Sequence, residues 1–247
     1  MPLEQAEAIV LYTRPMADQD KLVTLFCRDR GLVRGVAKGA RKFGNRFGSS
    51  LEPLSVVRVF YYEKERRDLV TISNCDLLES FFEIQHSPDT AFTLAYFAEL
   101  IEEFFPARSG EEKVYRLLRS VLQALKEGGD RDTLARYFEV WFLQINGLLP
   151  DLSRCRKCRK PVESGRLAAK MDGVYCPDCA PEGLEETRGE VVRFLDWARR
   201  NSPQAETPLP FSGEELRAVG RALQAIIVYH LEKEPKSLAL LKKSWTG

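Results

Sequence analysis

Short runs of apolar, β-branched and aromatic residues dominate the first eighty residues. Glu4–Tyr12, Lys21–Cys27, Gly31–Lys38, Leu54–Tyr62 and Leu69–Asn74 are rich in Val, Ile, Leu, Thr and aromatic residues. They are bounded by Pro15, Asp18–Asp20, Gly44–Ser50 and Arg66–Asp68, which are turn formers. Five short strands in so little chain predict a small β-barrel, with an OB-fold the natural candidate. From about residue 80 the apolar period lengthens to that of a helix, as in Phe92, Ala95, Tyr96, Glu99 and Leu100. Helices are predicted over 88–105, 110–127, 131–146, 188–201 and 213–232, with a short terminal piece from 236. Ser87-Pro88 and the capping pairs Ser109/Glu112, Thr187/Glu190 and Ser212/Glu215 mark starts, and Gly128-Gly129 and Gly147 mark stops. The third helix is apolar on most faces and is expected at the bundle centre.

Between the third and fourth helices the pattern breaks. Cys155, Cys158, Cys176 and Cys179 form two C-x2-C knuckles separated by seventeen residues. Two thiolates on a tight turn can face one ion, and a second knuckle completes a tetrahedron. Such a site is coordinatively closed, which points to one structural zinc ion. Arg166–Lys170 and Val174–Tyr175 flank Asp172-Gly173 as a hairpin between the knuckles. Cys27 and Cys75, isolated among apolar neighbours, read as inert core thiols. The expected fold class is α+β and multidomain: an OB barrel over 1–79, a helical domain over 80–153 and 181–247, and an inserted zinc ribbon over 154–180.

Charge changes the picture. The 247-residue chain is 44% hydrophobic and 30% charged, with a formal net charge of +1. That near-neutral sum hides segregation. Residues 28–46 hold seven basic groups against one acid, and residues 154–170 repeat that ratio. Two concentrated basic stretches in an otherwise acidic chain are a footprint for a polyanion. The first includes GARKFGNRFGSS (39–50), where Arg41, Lys42 and Arg46 interleave with Phe43 and Phe47. Cations along a backbone with rings for stacking are the composition of a single-strand binding surface, although either phenylalanine could instead plug the core.

No catalytic set emerges, so no enzyme is expected. The chain has two histidines, no G-x-x-x-x-G-K and no G-x-G-x-x-G, hence no nucleotide site. Lys170-Met171-Asp172-Gly173 matches the K-x-D-G of nucleotidyl-transferring ligases but lies inside the hairpin, where Asp-Gly is explained by the turn. Apolar runs such as Ala225–Tyr229 are far short of a membrane span, and the N-terminus is polar by its fourth residue, so a cytoplasmic location is expected.

The run EAIVLYTRPMADQDKLVTLFCRDRGLVRGVAKGARKFGNRFGSSLEPLSVVRVFYY, the phrase LPDLSRCRKC and the ending YHLEKEPKSLALL resemble the bacterial RecO family of DNA recombination and repair proteins. The resemblance covers nearly the whole chain. It implies an OB-fold followed by helices carrying a zinc module, in a mediator that binds single- and double-stranded DNA. Such proteins anneal complementary strands coated by single-stranded-DNA-binding protein, contact that protein's acidic, apolar C-terminal tail, and with RecR promote loading of RecA at gaps. Carried over by position, it assigns DNA binding to Arg14, Arg34, Lys38, Arg41, Lys42 and Arg46. Lys236, Lys242 and Lys243, beside Leu238 and Leu241, are expected to receive the tail, since an acidic peptide wants cations around an apolar groove. A general RNA- or ribosome-associated module and a ligase or nuclease are the competing classes.

Overall fold

The computed structural model describes residues 2–63, 68–107, 110–162, 165–168, 170–184, 186–187, 189–204 and 211–244, with backbone alone at 186, 187, 243 and 244. Two compact units emerge: 1–122 joined by 236–247, and 123–235.

In the first unit, β1 (Leu3–Met16), β2 (Asp20–Cys27), β3 (Gly31–Ala37), β4 (Val56–Tyr62) and β5 (Leu69–Glu79) close into a barrel ordered β1-β2-β3-β5-β4. β1 achieves closure by serving two partners, β4 through residues 3–9 and β2 through residues 8–16, with a bulge between Val10 and Tyr12. A bulge sharpens local twist, which lets one strand turn a barrel corner. β3 and β5 run parallel, all other pairs antiparallel. Gly35 permits that parallel approach, because a Cβ there would fall 2.7 Å from Val70 and 2.8 Å from Ile72. Alternate residues fill the interior: Ala8, Val10, Val23, Leu25, Val57, Val59 and Ile72 are fully buried. This five-stranded closed barrel is an OB-fold.

A 3-10 turn (Phe82–Gln85) leads to α1 (Pro88–Phe104) and α2 (Glu112–Lys126). Pro88 opens α1 at its first position, though the Ser87 hydroxyl makes no capping bond. Ser109, the expected cap of α2, lies outside the described residues. α2 is tied to the barrel wall by Glu112 with Arg28 at 2.6 Å, Arg119 with Glu79 at 3.3 Å, and a hydrogen bond from the Tyr115 hydroxyl to Glu7.

In the second unit, α3 (Arg131–Ile145) starts at Asp130, whose carboxylate accepts from the Thr133 amide at 2.8 Å. β6 (Gly165–Leu167), β7 (Val174–Tyr175) and β8 (Glu186–Thr187) form a sheet ordered β7-β6-β8. The β6–β7 pairing realises the expected hairpin, while β8 was not anticipated because two residues carry no periodicity. α4 (Gly189–Arg200) and α5 (Gly213–Leu231) follow, and α5 carries the full capping box, with Ser212 and Glu215 exchanging side-chain and backbone bonds. The Thr187 side chain is outside the described residues. α3 packs on α5 and is buried along its middle, as its composition implies. Its buried face also holds a charged pair, Arg136 and Glu139 at 3.1 Å. Gln224 of α5 donates to Glu139 at 3.2 Å.

The chain ends in α6 (Lys236–Ser244), which packs on α1 in the first unit. Glu99 of α1 accepts from the Lys236 and Ser237 amides and the Ser237 hydroxyl. Burial alone would raise this carboxyl, but these bonds win and hold it below the usual range. A carboxylate at a helix N-terminus also meets the positive end of the helix dipole. Among the described residues, no helix is long and apolar enough to cross a membrane.

Candidate nucleic-acid interface

The loop from β3 to β4 is wound by successive turns, with Lys42 N donating to Gly39 O, Asn45 N to Lys42 O, and Ser50 N to Phe47 O. Gly39 and Gly44 take φ of +71° and +64°, conformations that side chains disfavour. Four bonds anchor the loop against the β1–β2 turn. Gly39 N donates to Asp20 Oδ1 at 2.8 Å, Arg41 N to Gln19 O at 2.9 Å, and Arg41 Nη1 to the Ala17 and Asp18 carbonyls.

A shallow concavity of about 420 Å³ opens there, lined by Gln19, Asp20, Lys38, Lys42, Phe43, Asn45 and Arg46 among others. Lys38, Lys42 and Arg46 outnumber its one acid, Asp20. Arg46 donates to Ser73 O at 2.7 Å and lies 4.5 Å from the Phe47 ring centroid, held in place by a carbonyl and a ring. Arg41 likewise binds carbonyls. Neither contact neutralises the guanidinium charge, so both arginines keep it available to a phosphate.

The two phenylalanines divide the roles left open for them. Phe47 is 3% exposed and belongs to the barrel core, whereas Phe43 is fully exposed beside the lysines. Phe47→Ala should therefore destabilise the barrel by about 3–5 kcal/mol. Phe43→Ala should leave melting unchanged and weaken single-stranded DNA binding by about 1–3 kcal/mol. Thermal melts and fluorescence anisotropy on the two variants check this split.

Other expected residues lie elsewhere. Arg34 on β3 pairs with Glu102 of α1 at 2.9 Å. Arg14 on β1 is exposed and lies 5.8 Å from the Tyr12 ring centroid, outside the concavity. On α6, Lys236 and Lys242 are exposed, and the Lys243 side chain is outside the described residues. Leu238 and Leu241, expected to line a groove beside them, are fully buried in the packing of α6, and among the described residues of α6 Leu240 is the exposed leucine. The i, i+3 spacing that looked like a groove is the helix's own core stripe. Sequence reading missed Gln19, Asp20 and Asn45, whose only signal was turn composition.

The four cysteines do converge. Their sulfurs lie within 4.8 Å of one another, with Cys158 Sγ and Cys176 Sγ 3.8 Å apart, forming a cluster that could hold a metal ion. Amides of Cys158 and Cys176 donate to Cys155, which is buried, and draw its thiol down to about 6, while the Cys176 thiol pushes Cys179 up to about 12 and burial pushes Cys176 up. Cys27 and Cys75 stand apart in the barrel core, where burial pushes their thiols up to about 12 and about 11, so they are inert packing groups. In the K-x-D-G segment, Asp172 pairs with Arg156 and Met171 N bonds Ala168 O, as a turn requires.

A family model described as Recombination protein O N terminal matches residues 1–81, and one described as Recombination protein O C terminal matches 85–239. A protein of Koribacter versatilis named DNA repair protein RecO is 35% identical over 242 residues, covering 98% of this chain and 99% of the relative. One of Symbiobacterium thermophilum bearing the same name is 32% identical over 252 residues, covering 98% and 97%. With both halves matched in order, and with a closed barrel followed by helices and a cysteine cluster beneath those matches, the chain belongs to the RecO family of DNA repair proteins.

Proposed function

We propose that this protein is a recombination mediator that binds single- and double-stranded DNA on the barrel and anneals complementary strands coated by single-stranded-DNA-binding protein. With RecR it then promotes loading of RecA at gaps. The observation that carries the reading is the cationic concavity of Lys38, Lys42 and Arg46 with fully exposed Phe43 at its edge. Cations there neutralise phosphates while the ring stacks on a base, which gives binding without sequence readout. Annealing then follows from physics: two strands repel, and a surface that screens both and raises their local concentration leaves base edges free to pair. Duplex formation is downhill, so neither nucleotide hydrolysis nor bond-breaking chemistry is required.

The cysteine cluster fits zinc. A tetrahedral ion with sulfurs about 2.3 Å away sets sulfurs about 3.8 Å apart, the spacing of Cys158 and Cys176. Cys155, Cys158, Cys176 and Cys179 would hold one ion, which ties the ends of the β6–β7 hairpin together. The acidic tail of the single-strand binder is proposed to dock along α6 through Lys236 and Lys242, with exposed Leu240 as its apolar neighbour. The protein acts in the cytoplasm.

Changing Lys38, Arg41 and Lys42 to Ala together should weaken binding to an oligonucleotide. It should also flatten the log-log salt dependence by about 2, since each lost single-strand phosphate contact removes about 0.7. Anisotropy titrations over a salt series check this. An unchanged affinity and slope would place the DNA site elsewhere.

A further inference from the structure

We infer that the first cysteine knuckle is a second phosphate-binding surface, on a different compact unit from the barrel, and that its occupant is the second DNA strand of the annealing reaction. The inference rests on the barrel holding the first strand.

The knuckle places Arg154, Arg156, Lys157, Arg159 and Lys160 within seven residues and without an acid among them. The turn forces them outward. Cys155 N donates to Lys160 O at 2.9 Å and Arg159 N to Cys155 O at 2.8 Å, closing a tight loop with Cys155 buried at its centre. Two sulfurs of the knuckle face the cluster, and all five basic side chains are exposed, with Arg156 reaching Asp172 and the Tyr175 ring.

Two bland explanations for this charge fall short. The first is internal pairing. Arg156 is engaged by Asp172, but Arg154, Lys157, Arg159 and Lys160 form no ion pair with a described carboxylate. Asp151 feels the field of Arg159 and Arg154, yet its own bonds go to the Ser153 hydroxyl and amide. The second is compensation of the metal site. A dication with four thiolates carries about −2, which offsets fewer than half of the knuckle's cations, and Arg166 and Lys170 add two exposed charges nearby. A surplus remains.

The kind of anion follows from what the surface lacks. Acidic peptides dock by side-chain anchors in apolar pockets as well as by charge. No exposed large hydrophobic side chain lies among the described residues of 154–187. Point charges without anchors suit a phosphate backbone, which is uniform along its length and needs none. Two such surfaces on one chain let one molecule hold two strands, where effective concentration replaces chance encounter.

The test uses full-length protein with Lys157, Arg159 and Lys160 changed to Gln and every cysteine retained. Metal content and melting should match the wild type. One labelled oligonucleotide is bound first, and capture of a second, non-complementary labelled strand is read by energy transfer; annealing of complementary strands is read in parallel. The expected result is first-strand affinity within about two-fold of wild type, with second-strand capture and annealing down about ten-fold. A Lys157→Arg, Lys160→Arg variant, which keeps the charge, should behave as wild type. Capture and annealing at wild-type levels in the Gln variant would overturn the inference. So would a loss confined to protein-coated strands, which would make the knuckle a peptide site. The Lys38, Arg41 and Lys42 to Ala variant reads the barrel assignment separately, through first-strand affinity alone.

Discussion

Glu139→Ala should destabilise the unit spanning 123–235 by about 3–5 kcal/mol, read as a fall in its urea midpoint or in its thermal melt. Arg136 and Glu139 are 2% and 0% exposed, 3.1 Å apart, and Gln224 adds a bond to the same carboxylate oxygen. Removing one member of a buried pair strands the other charge in low dielectric, and that is the source of the large loss. Gly220→Ala should act on the same contact from the other side. A Cβ at 220 would collide with Arg136 Nη1, so the guanidinium would have to leave its seat against α5 and loosen its grip on Glu139. Replacing both charges, Arg136→Met with Glu139→Leu, should recover most of the stability, because well-packed apolar groups of similar volume substitute for buried pairs. A loss under about 1 kcal/mol in Glu139→Ala would show that the pair does not hold α3 against α5. The barrel transition should be unmoved in all three variants, since these residues lie in the other unit.

Removing the zinc ion proposed for the cysteine cluster should have the second large effect. A ribbon whose strands are three, two and two residues long buries too little to fold on its own. Structural zinc contributes about 10–16 kcal/mol of binding energy, well above what so small a module could otherwise gather. The protein should release one zinc per chain when its thiols are titrated with a mercurial, and Cys155→Ser should release much less. Chelation should collapse amide hydrogen-exchange protection across β6 and β7 while the barrel keeps its own. Protection that survives exhaustive chelation would mean that the four cysteines are packing groups.

Much of this was legible in the chain, and the departures have physical causes. Local signals located the elements well: the capping box at Ser212 and the proline at 88 start helices where the sequence puts them. Strand ends were less visible. β1 runs on to Met16 beyond the expected Tyr12, because the bulge lets it continue along β2. β5 runs on to Glu79 beyond Asn74, because its far half pairs with β4. Both extensions come from pairing rather than from propensity. The convergence of the four cysteines was readable because two C-x2-C turns encode it in their spacing. The basic loop was readable as chemistry but not as geometry. Arg34 and Arg46 look equivalent in sequence, yet one meets Glu102, sixty-eight residues away, and the other a carbonyl and a ring. Phe43 and Phe47 look equivalent too, and only the winding of the loop sends one out and one in. Burial of Arg136 and Glu139 left no local trace, since an i, i+3 pair of opposite charges on a helix ordinarily faces water.

In the proposed function, the barrel's basic loop acts on DNA to bring strands together. The direct measurement is annealing of two complementary oligonucleotides pre-coated with the cognate single-stranded-DNA-binding protein, followed by fluorescence without ATP. The wild type is compared with the variant carrying alanine at Lys38, Arg41 and Lys42. Rapid annealing by the wild type, suppressed by salt and weak in the variant, is the predicted result. Equal annealing by the two proteins, or none by the wild type with RNA bound as well as DNA, would contradict it.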